Sequence, residues 1–202
     1  MPIDILITIL STILMGGTIL FQDGRVHQVM GIFLLALWIC HTILNRHWFA
    51  SLFTGKYQPY RILQTFVNIG VCSCALILMI SGLLLEWFMP AELVGGAFGY
   101  ARITHLLSSH WYYIFMAFHL GLHAAMIAGK MKIHGTAPRV IFILISIYGV
   151  YAFIIRGVWK YMFGLQKFFF FDFDRGYFLF ALDYVSIIIL FATIAYYLRK
   201  IL

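Results

Sequence analysis

Long apolar stretches alternate with short polar connections along the whole chain. Six apolar segments can be delimited, at about Ile3–Phe21, Val26–Leu44, Ile62–Met89, Ile103–Ile127, Val140–Trp159 and Phe178–Leu198. Most of them approach or exceed the roughly 20 residues that an α-helix needs to cross a bilayer core. Since the connections are too short for a separate soluble domain, the pattern predicts an all-α, integral membrane bundle of about six transmembrane helices. Residues 1–202 are expected to form a single domain.

The composition agrees with a membrane protein. Hydrophobic residues make up 63% of the chain and charged residues only 10%, whereas about a quarter of the residues of soluble domains are charged. The first segment has no basic residues before it and no small-residue cleavage site after it. We therefore expect it to be a retained helix and not a signal peptide.

The net charge of +7 is distributed unevenly between the two ends of the predicted bundle. If the connection after the second segment is cytoplasmic, the cytoplasmic parts hold eight Lys or Arg residues and a single acid, Asp4. The opposite parts hold six basic and six acidic residues. This is the distribution that the positive-inside rule expects, and it predicts a multi-pass protein with both termini in the cytoplasm. The basic residues then indicate topology and contact with membrane lipid, and no nucleic-acid partner is expected.

Six histidines lie within the second and fourth segments: His27, His41, His105, His110, His119 and His123. Fourteen residues separate His27 from His41, and fourteen separate His105 from His119. Fourteen helical residues turn through a little under four revolutions and rise about 21 Å, so each pair lies on one helix face at two depths. Because one segment intervenes, the two helices run in the same direction. This predicts that His27 faces His105 near the outer surface and that His41 faces His119 deeper in the membrane.

Two facing imidazoles are the ligand set of a six-coordinate haem, in which they fill both axial positions of the iron. The two pairs therefore predict two haem b groups, and the absence of a CxxCH motif indicates that they are bound non-covalently. An iron with both axial positions filled has no open position for oxygen chemistry. We expect an electron-transfer subunit and not a stand-alone enzyme.

His123 leaves one assignment open. It follows His105 by eighteen residues, which is five whole helical turns, so it shares the face of His105 and His119. It is the alternative to His119 as the inner ligand, and otherwise it would bond a haem edge or a quinone. His110 points away from this face and is expected to be a polar packing residue.

Three further residues are candidates for cofactor binding. Gly31 lies one turn inward of His27 on the same face, where it would leave room for a flat macrocycle or serve ordinary helix packing. Arg25 precedes His27 much as Arg102 precedes His105. Both arginines would either hold acidic groups of a cofactor or anchor the helix ends at the outer surface.

Two other classes of protein compete with this interpretation. A histidine-based metal or proton transporter should place carboxylates at the bilayer midplane. Most acids of this chain lie instead at helix ends or in loops. Asp183, in the outer part of the sixth segment, is the acid expected to be buried. A cofactor-free scaffold would leave the repeated histidine interval unexplained. The aromatic and acidic segment Gly157–Tyr177 is predicted either to cover the outer end of the bundle or to bind an external partner.

The runs HQVMGIFLLALWICHTILNRHWFASLFTGKY and RITHLLSSHWYYIFMAFHLGLHAAMIAGK, with the later FFFFDFDRGYFLFALDY, resemble the flavinylation-associated cytochrome family. In plan they are also similar to the di-haem cytochrome b subunits of respiratory complexes. The resemblance implies a cytochrome of the bacterial cytoplasmic membrane that passes electrons from menaquinone or ubiquinone to an extracytosolic protein bearing covalent FMN. The family's motif histidines correspond here to His27, His41, His105, His119 and His123, which gives five candidates for four iron positions.

Overall fold

The computed structural model describes residues 2–17, 23–86, 88–90, 92, 95–130, 135–173 and 176–202, with the backbone alone at residues 127 and 130. Within these ranges the chain forms helices and connections and no strand. The helices are α1 Pro2–Leu14, α2 Gly24–Leu44, α3 Arg46–Ser51, α4 Pro59–Leu84, α5 Phe98–Lys130, α6 Thr136–Ile155, α7 Val158–Met162 and α8 Gly176–Ile201. A 3₁₀ turn at Gly95–Ala97 leads into α5.

Four helices are long and apolar enough to cross a membrane, namely α2, α4, α6 and α8. The predicted all-helical membrane bundle is confirmed at this level. Helix α5 has 33 residues and carries four histidines, and α1 is apolar but has only 13 residues. The count of six crossing helices therefore stays a prediction.

The apolar pattern misplaces two helix ends. Helix α4 ends at Leu84 instead of Met89, and helix α6 ends at Ile155 instead of Trp159. Gly157, which follows α6, has φ of 62°, the left-handed conformation with which glycine commonly ends a helix. The pattern was wrong at these two ends because apolar residues continue past them. Helix α1 ends at Leu14, and residues 18–21 of the first segment lie outside the described part.

Helix α5 is the centre of the bundle, since it packs against α4 on one side and α8 on another. Helix α6 packs against α8. Glycines permit this close approach: a Cβ atom at Gly121 would overlap the Ala192 backbone, and one at Gly149 would overlap the Ser186 carbonyl. Small residues at such positions are typical of helix contacts in membranes.

A buried ion pair fastens the end of α6 to α8. The Arg156 Nε atom donates to Asp183 Oδ2 at 2.7 Å, and the Tyr148 hydroxyl donates to Asp183 Oδ1 at 2.6 Å. Asp183 is fully buried, as the sequence predicts. Burying both charges together with a hydroxyl donor satisfies the carboxylate, so this acid has a structural role.

Helices α1 and α2 form a separate layer. They pack against each other through Ile7, Leu10 and Leu34, and Leu34 is the only residue of α2 that is buried within the chain. Among the described residues, α2 makes few close contacts with α5. The space between these two helices is where the two cavities described below are found.

Candidate functional site

The structure brings together the histidine pairs that the equal intervals predict. The ring centroids of His27 and His105 are 6.4 Å apart, with the ring planes at 69°. Those of His41 and His119 are also 6.4 Å apart, with the planes at 78°. Because both pairs form, α2 and α5 run in the same direction. We name the two sites by the predicted topology: the outer pair is His27 and His105, and the inner pair is His41 and His119.

The separation of the rings fits a metal ion held between two imidazoles. Each nitrogen would lie about 2 Å from the metal and about 1 Å from its own ring centre, so the two centroids should be roughly 6 Å apart. In the parts of the chain that the structure describes, no three His, Cys, Asp or Glu side chains cluster to hold a metal ion. The arrangement offers two nitrogens at each site, which is the number that a porphyrin-bound iron takes from the protein.

On α5, the Nδ1 atom of each paired histidine lies within hydrogen-bond distance of an acceptor on α4. The His105 Nδ1 atom lies 3.2 Å from the Leu78 carbonyl oxygen and 3.4 Å from the Ser81 hydroxyl. The His119 Nδ1 atom lies 2.8 Å from Asn68 Oδ1. An Nδ1–H that donates to an oxygen fixes the tautomer and leaves Nε2 as the free ligand nitrogen.

On α2 the two histidines differ from each other. The His41 Nδ1 atom lies 2.8 Å from Asp4 Oδ1 of α1, an arrangement in which a carboxylate orients an imidazole ligand. The His27 Nδ1 atom is buried beside the Gly17 backbone at a geometry that forms no hydrogen bond with the described residues. An acceptor beside Nδ1 therefore orients three of the four rings, as is usual for histidines that bind a metal through Nε2.

The outer pair borders a cavity of about 450 Å³, a size typical of pockets that enclose small molecules. Gly31 lines it, and a Cβ atom there would meet nothing within 4 Å. Gly82 also lines it, and a Cβ atom there would lie 3.2 Å from His105 Cε1. Glycine at these positions keeps space for a ligand and for the ring that would hold it.

Cations line the outer cavity at one end. Arg102 and Lys167 are both lining residues, and the Arg102 guanidinium lies 4.3 Å from the centre of the Phe168 ring. The side chain of Arg25 is exposed, and Arg25 is not among the lining residues; its backbone N–H donates to Asp23 at the start of α2. The sequence prediction that Arg25 binds a cofactor stays a prediction, and Lys167 is a lining cation that sequence reasoning missed.

The segment Gly157–Tyr177 borders the outer cavity, and its residues 174 and 175 lie outside the described part. Phe168 and Phe169 line the cavity. The segment is fastened by the Trp111 indole, which donates to the Met162 carbonyl at 2.8 Å. The Tyr161 hydroxyl accepts a hydrogen bond from the Phe170 N–H at 3.2 Å, and burial raises the pKa of this hydroxyl.

Two further polar groups line the outer cavity without a hydrogen-bond partner among the described residues: His110 Nε2 and Glu86 Oε2. His110 is 1% exposed, its Nδ1 atom lies 2.7 Å from the Leu106 carbonyl, and its ring stacks on Tyr161. The sequence places His110 away from the ligand face, and it is indeed not in the outer pair, but it borders the same cavity. No local motif marks either residue, and the cover over His110 comes from Tyr161, which is distant in sequence.

The inner pair borders a larger cavity of about 770 Å³. His123 lines this cavity too, and its ring centroid lies 4.8 Å from that of His119. Trp48 of the short helix α3 is another lining residue. Tyr112 lines both cavities and therefore stands between them. Its hydroxyl lies 3.2 Å from the Ser11 hydroxyl of α1.

Searches of protein-family models, of curated proteins and of solved structures found no match to this chain.

Proposed function

We propose that the protein is a di-haem b-type cytochrome of the bacterial cytoplasmic membrane, which relays electrons between the quinone pool and an extracytosolic flavinylated protein. The observation that carries the proposal is the pair of equal histidine sites, each with ring centroids 6.4 Å apart. In this proposal α1 and α5 cross the membrane together with α2, α4, α6 and α8, and both termini are cytoplasmic.

The role of the chain is to hold and orient two haem groups. His27 and His105 would hold the outer one, and His41 and His119 the inner one. When bound, each haem supplies an iron that gains and releases one electron at a time. By holding the iron from both sides, the two histidines of each pair would exclude oxygen from it. In three of the four rings an oxygen atom lies within hydrogen-bond distance of Nδ1 and fixes the orientation of the ring. Little reorganisation of these rings therefore accompanies a change of charge.

The linings of the cavities support the same role. Apolar side chains dominate both, which excludes water and favours a large flat apolar ligand. Arg102 and Lys167 would bind the acidic groups of the outer cofactor, since a cation beside a carboxylate forms a strong charge-assisted hydrogen bond.

The inner cavity also offers a place for a quinol. It is the larger of the two, and His123 lies in it beside the inner pair without being the residue that faces His41. A neutral imidazole can accept the proton that a quinol releases when it is oxidised. We propose menaquinol or ubiquinol as the ligand here, with His123 as the proton acceptor.

Haem stoichiometry tests the proposal directly. Protein purified in detergent should contain two b-type haems per chain by pyridine haemochrome assay, and acid-acetone should extract both. His27→Ala and His105→Ala should each lose the same one of the two spectral components, and His41→Ala and His119→Ala the other. His47→Ala is the matched control, because His47 is exposed on α3 and lines neither cavity.

Each contrary result has a distinct meaning. One haem per chain would disprove the two-site arrangement. Loss of the inner component in His123→Ala but not in His119→Ala would make His123 the inner ligand. A colourless protein that binds metal ions stoichiometrically would support the alternative, a histidine-based metal or proton transporter.

A further inference from the structure

The four paired histidines differ in the charge of the group behind them. The Nδ1 partner of His105 is a peptide carbonyl, and that of His119 is the neutral amide of Asn68. Among the described residues, only His41 has a carboxylate at Nδ1, since Asp4 Oδ1 lies 2.8 Å from that atom. Within that part of the chain, the inner pair therefore has one imidazole with a carboxylate behind it, and the outer pair has none.

A carboxylate behind an imidazole makes the ligand more basic, and this stabilises the more positive, oxidised state of the metal. Such hydrogen bonding is one of the means by which a protein sets the potential of a haem. The His41 and Asp4 side chains are 29% and 42% exposed within the chain, so solvent or lipid headgroups weaken the effect. The short distance and the apolar cavity beside the pair preserve part of it.

We propose that Asp4 is a positioning residue that lowers the reduction potential of the inner haem. The proposal rests on the di-haem function proposed above. Its consequence is that an electron at the inner site has a higher free energy than it would have without the Asp4 carboxylate. Transfer from the inner to the outer site is then more favourable by the same amount.

A redox titration of purified protein tests the proposal, with the inner and outer components assigned from the His41→Ala and His27→Ala variants. Asp4→Asn keeps the size of the side chain and its acceptor oxygen but removes the charge. The potential of the inner component should rise, and that of the outer component should not change. Asp4→Glu retains the charge and should leave the inner potential lower than in Asp4→Asn.

Two more variants complete the design. Asn68→Asp places a carboxylate behind His119 and should lower the inner potential further. Asp23→Asn is the control, because Asp23 is an exposed acid at the far end of α2 from His41, and it should shift neither potential.

The contrary outcomes separate this proposal from the function on which it rests. Two haems with unshifted potentials in Asp4→Asn would overturn the role of Asp4 and leave the di-haem function intact. Loss of the inner haem from Asp4→Asn would mean that Asp4 holds the ligand in place without tuning it, which also overturns the proposal. Unaltered protein without haem would overturn the di-haem function itself.

Discussion

Gly31 and Gly82 both border the outer cavity, but a side chain would meet different surroundings at each. A Cβ atom at Gly82 would lie 3.2 Å from His105 Cε1, so this glycine makes room for the ring. A Cβ atom at Gly31 would meet nothing within 4 Å, so this glycine borders open space. The first is a requirement of packing between α4 and α5, whereas the second can be tested as a requirement for a ligand.

Filling the space beside Gly31 should remove the outer haem and spare the inner one. We expect Gly31→Leu to lose one of two b-type haems by haemochrome assay, because its side chain would occupy part of the roughly 450 Å³ cavity. Gly31→Ala is the matched control and should keep both, since its single methyl group has free space. If Gly31→Leu retained two haems with unaltered spectra, the glycine would serve only helix packing.

At the residue scale, the sequence predicts which histidines face each other. It does not predict most of the acceptor atoms that lie beside their Nδ1 atoms. Equal intervals on two parallel helices determine which rings face each other. Asn68 of α4 forms an interhelical hydrogen bond with His119. The Leu78 carbonyl has no sequence signature, because every residue has a carbonyl group. Asp4 was recognised only as a charge, since nothing local shows that α1 brings it to His41.

At the scale of helices, α5 depends on close contact with its neighbours. Gly121 faces the backbone of α8 at Ala192, and a Cβ atom there would overlap it. Gly129 lies two turns further along α5, and a Cβ atom there would meet nothing within 4 Å. The same substitution at the two positions therefore separates packing from intrinsic helix preference.

Gly121→Ala should destabilise the bundle, and Gly129→Ala should not. An extra methyl group in a filled contact costs about 1–3 kcal/mol, so the melting temperature of the detergent-purified protein should fall. Alanine favours a helix more than glycine does, so Gly129→Ala should have no effect or a slightly raised melting temperature. Equal melting temperatures for the two variants would show that α5 and α8 can separate without loss of stability.

The apolar pattern predicted where the long helices lie because burial in a membrane requires continuous apolar length. It misplaced the ends of α4 and α6, since apolar residues also follow Leu84 and Gly157. It also could not show that α2 and α5 stand apart. Residues of α1, α4 and the outer segment line the space between them, and these residues are distant in sequence.

For the molecule as a whole, the segment Gly157–Tyr177 lies over the outer cavity and also presents a free surface. The Met162 carbonyl fastens it to the bundle by accepting a hydrogen bond from the Trp111 indole, and the Tyr161 hydroxyl accepts one from the Phe170 N–H within the segment. Phe168 and Phe170 are 53% and 71% exposed. The two alternatives that the sequence left open, a cover and a docking surface, are therefore compatible in one segment. Its acidic residues supply the test of the second role.

Replacing Asp172 and Asp174 together by asparagine should slow electron delivery to an external flavoprotein several-fold at low ionic strength. Asp172 is exposed, and Asp174 lies outside the described residues. Complementary charges raise the rate of encounter between two proteins, and salt screens this effect. The variant should therefore also show a weaker dependence of the rate on salt, measured by stopped-flow oxidation of the reduced cytochrome.

Haem content and both potentials should remain normal in this double variant, because Asp172 is exposed and lines neither cavity. Asp23→Asn provides the control, since it removes one exposed charge at the same end of the bundle outside the segment. Equal transfer rates for the double variant and the unaltered protein at every ionic strength would contradict the docking role. The segment would then serve only to close the outer cavity, and the partner would have to bind at another part of the outer surface.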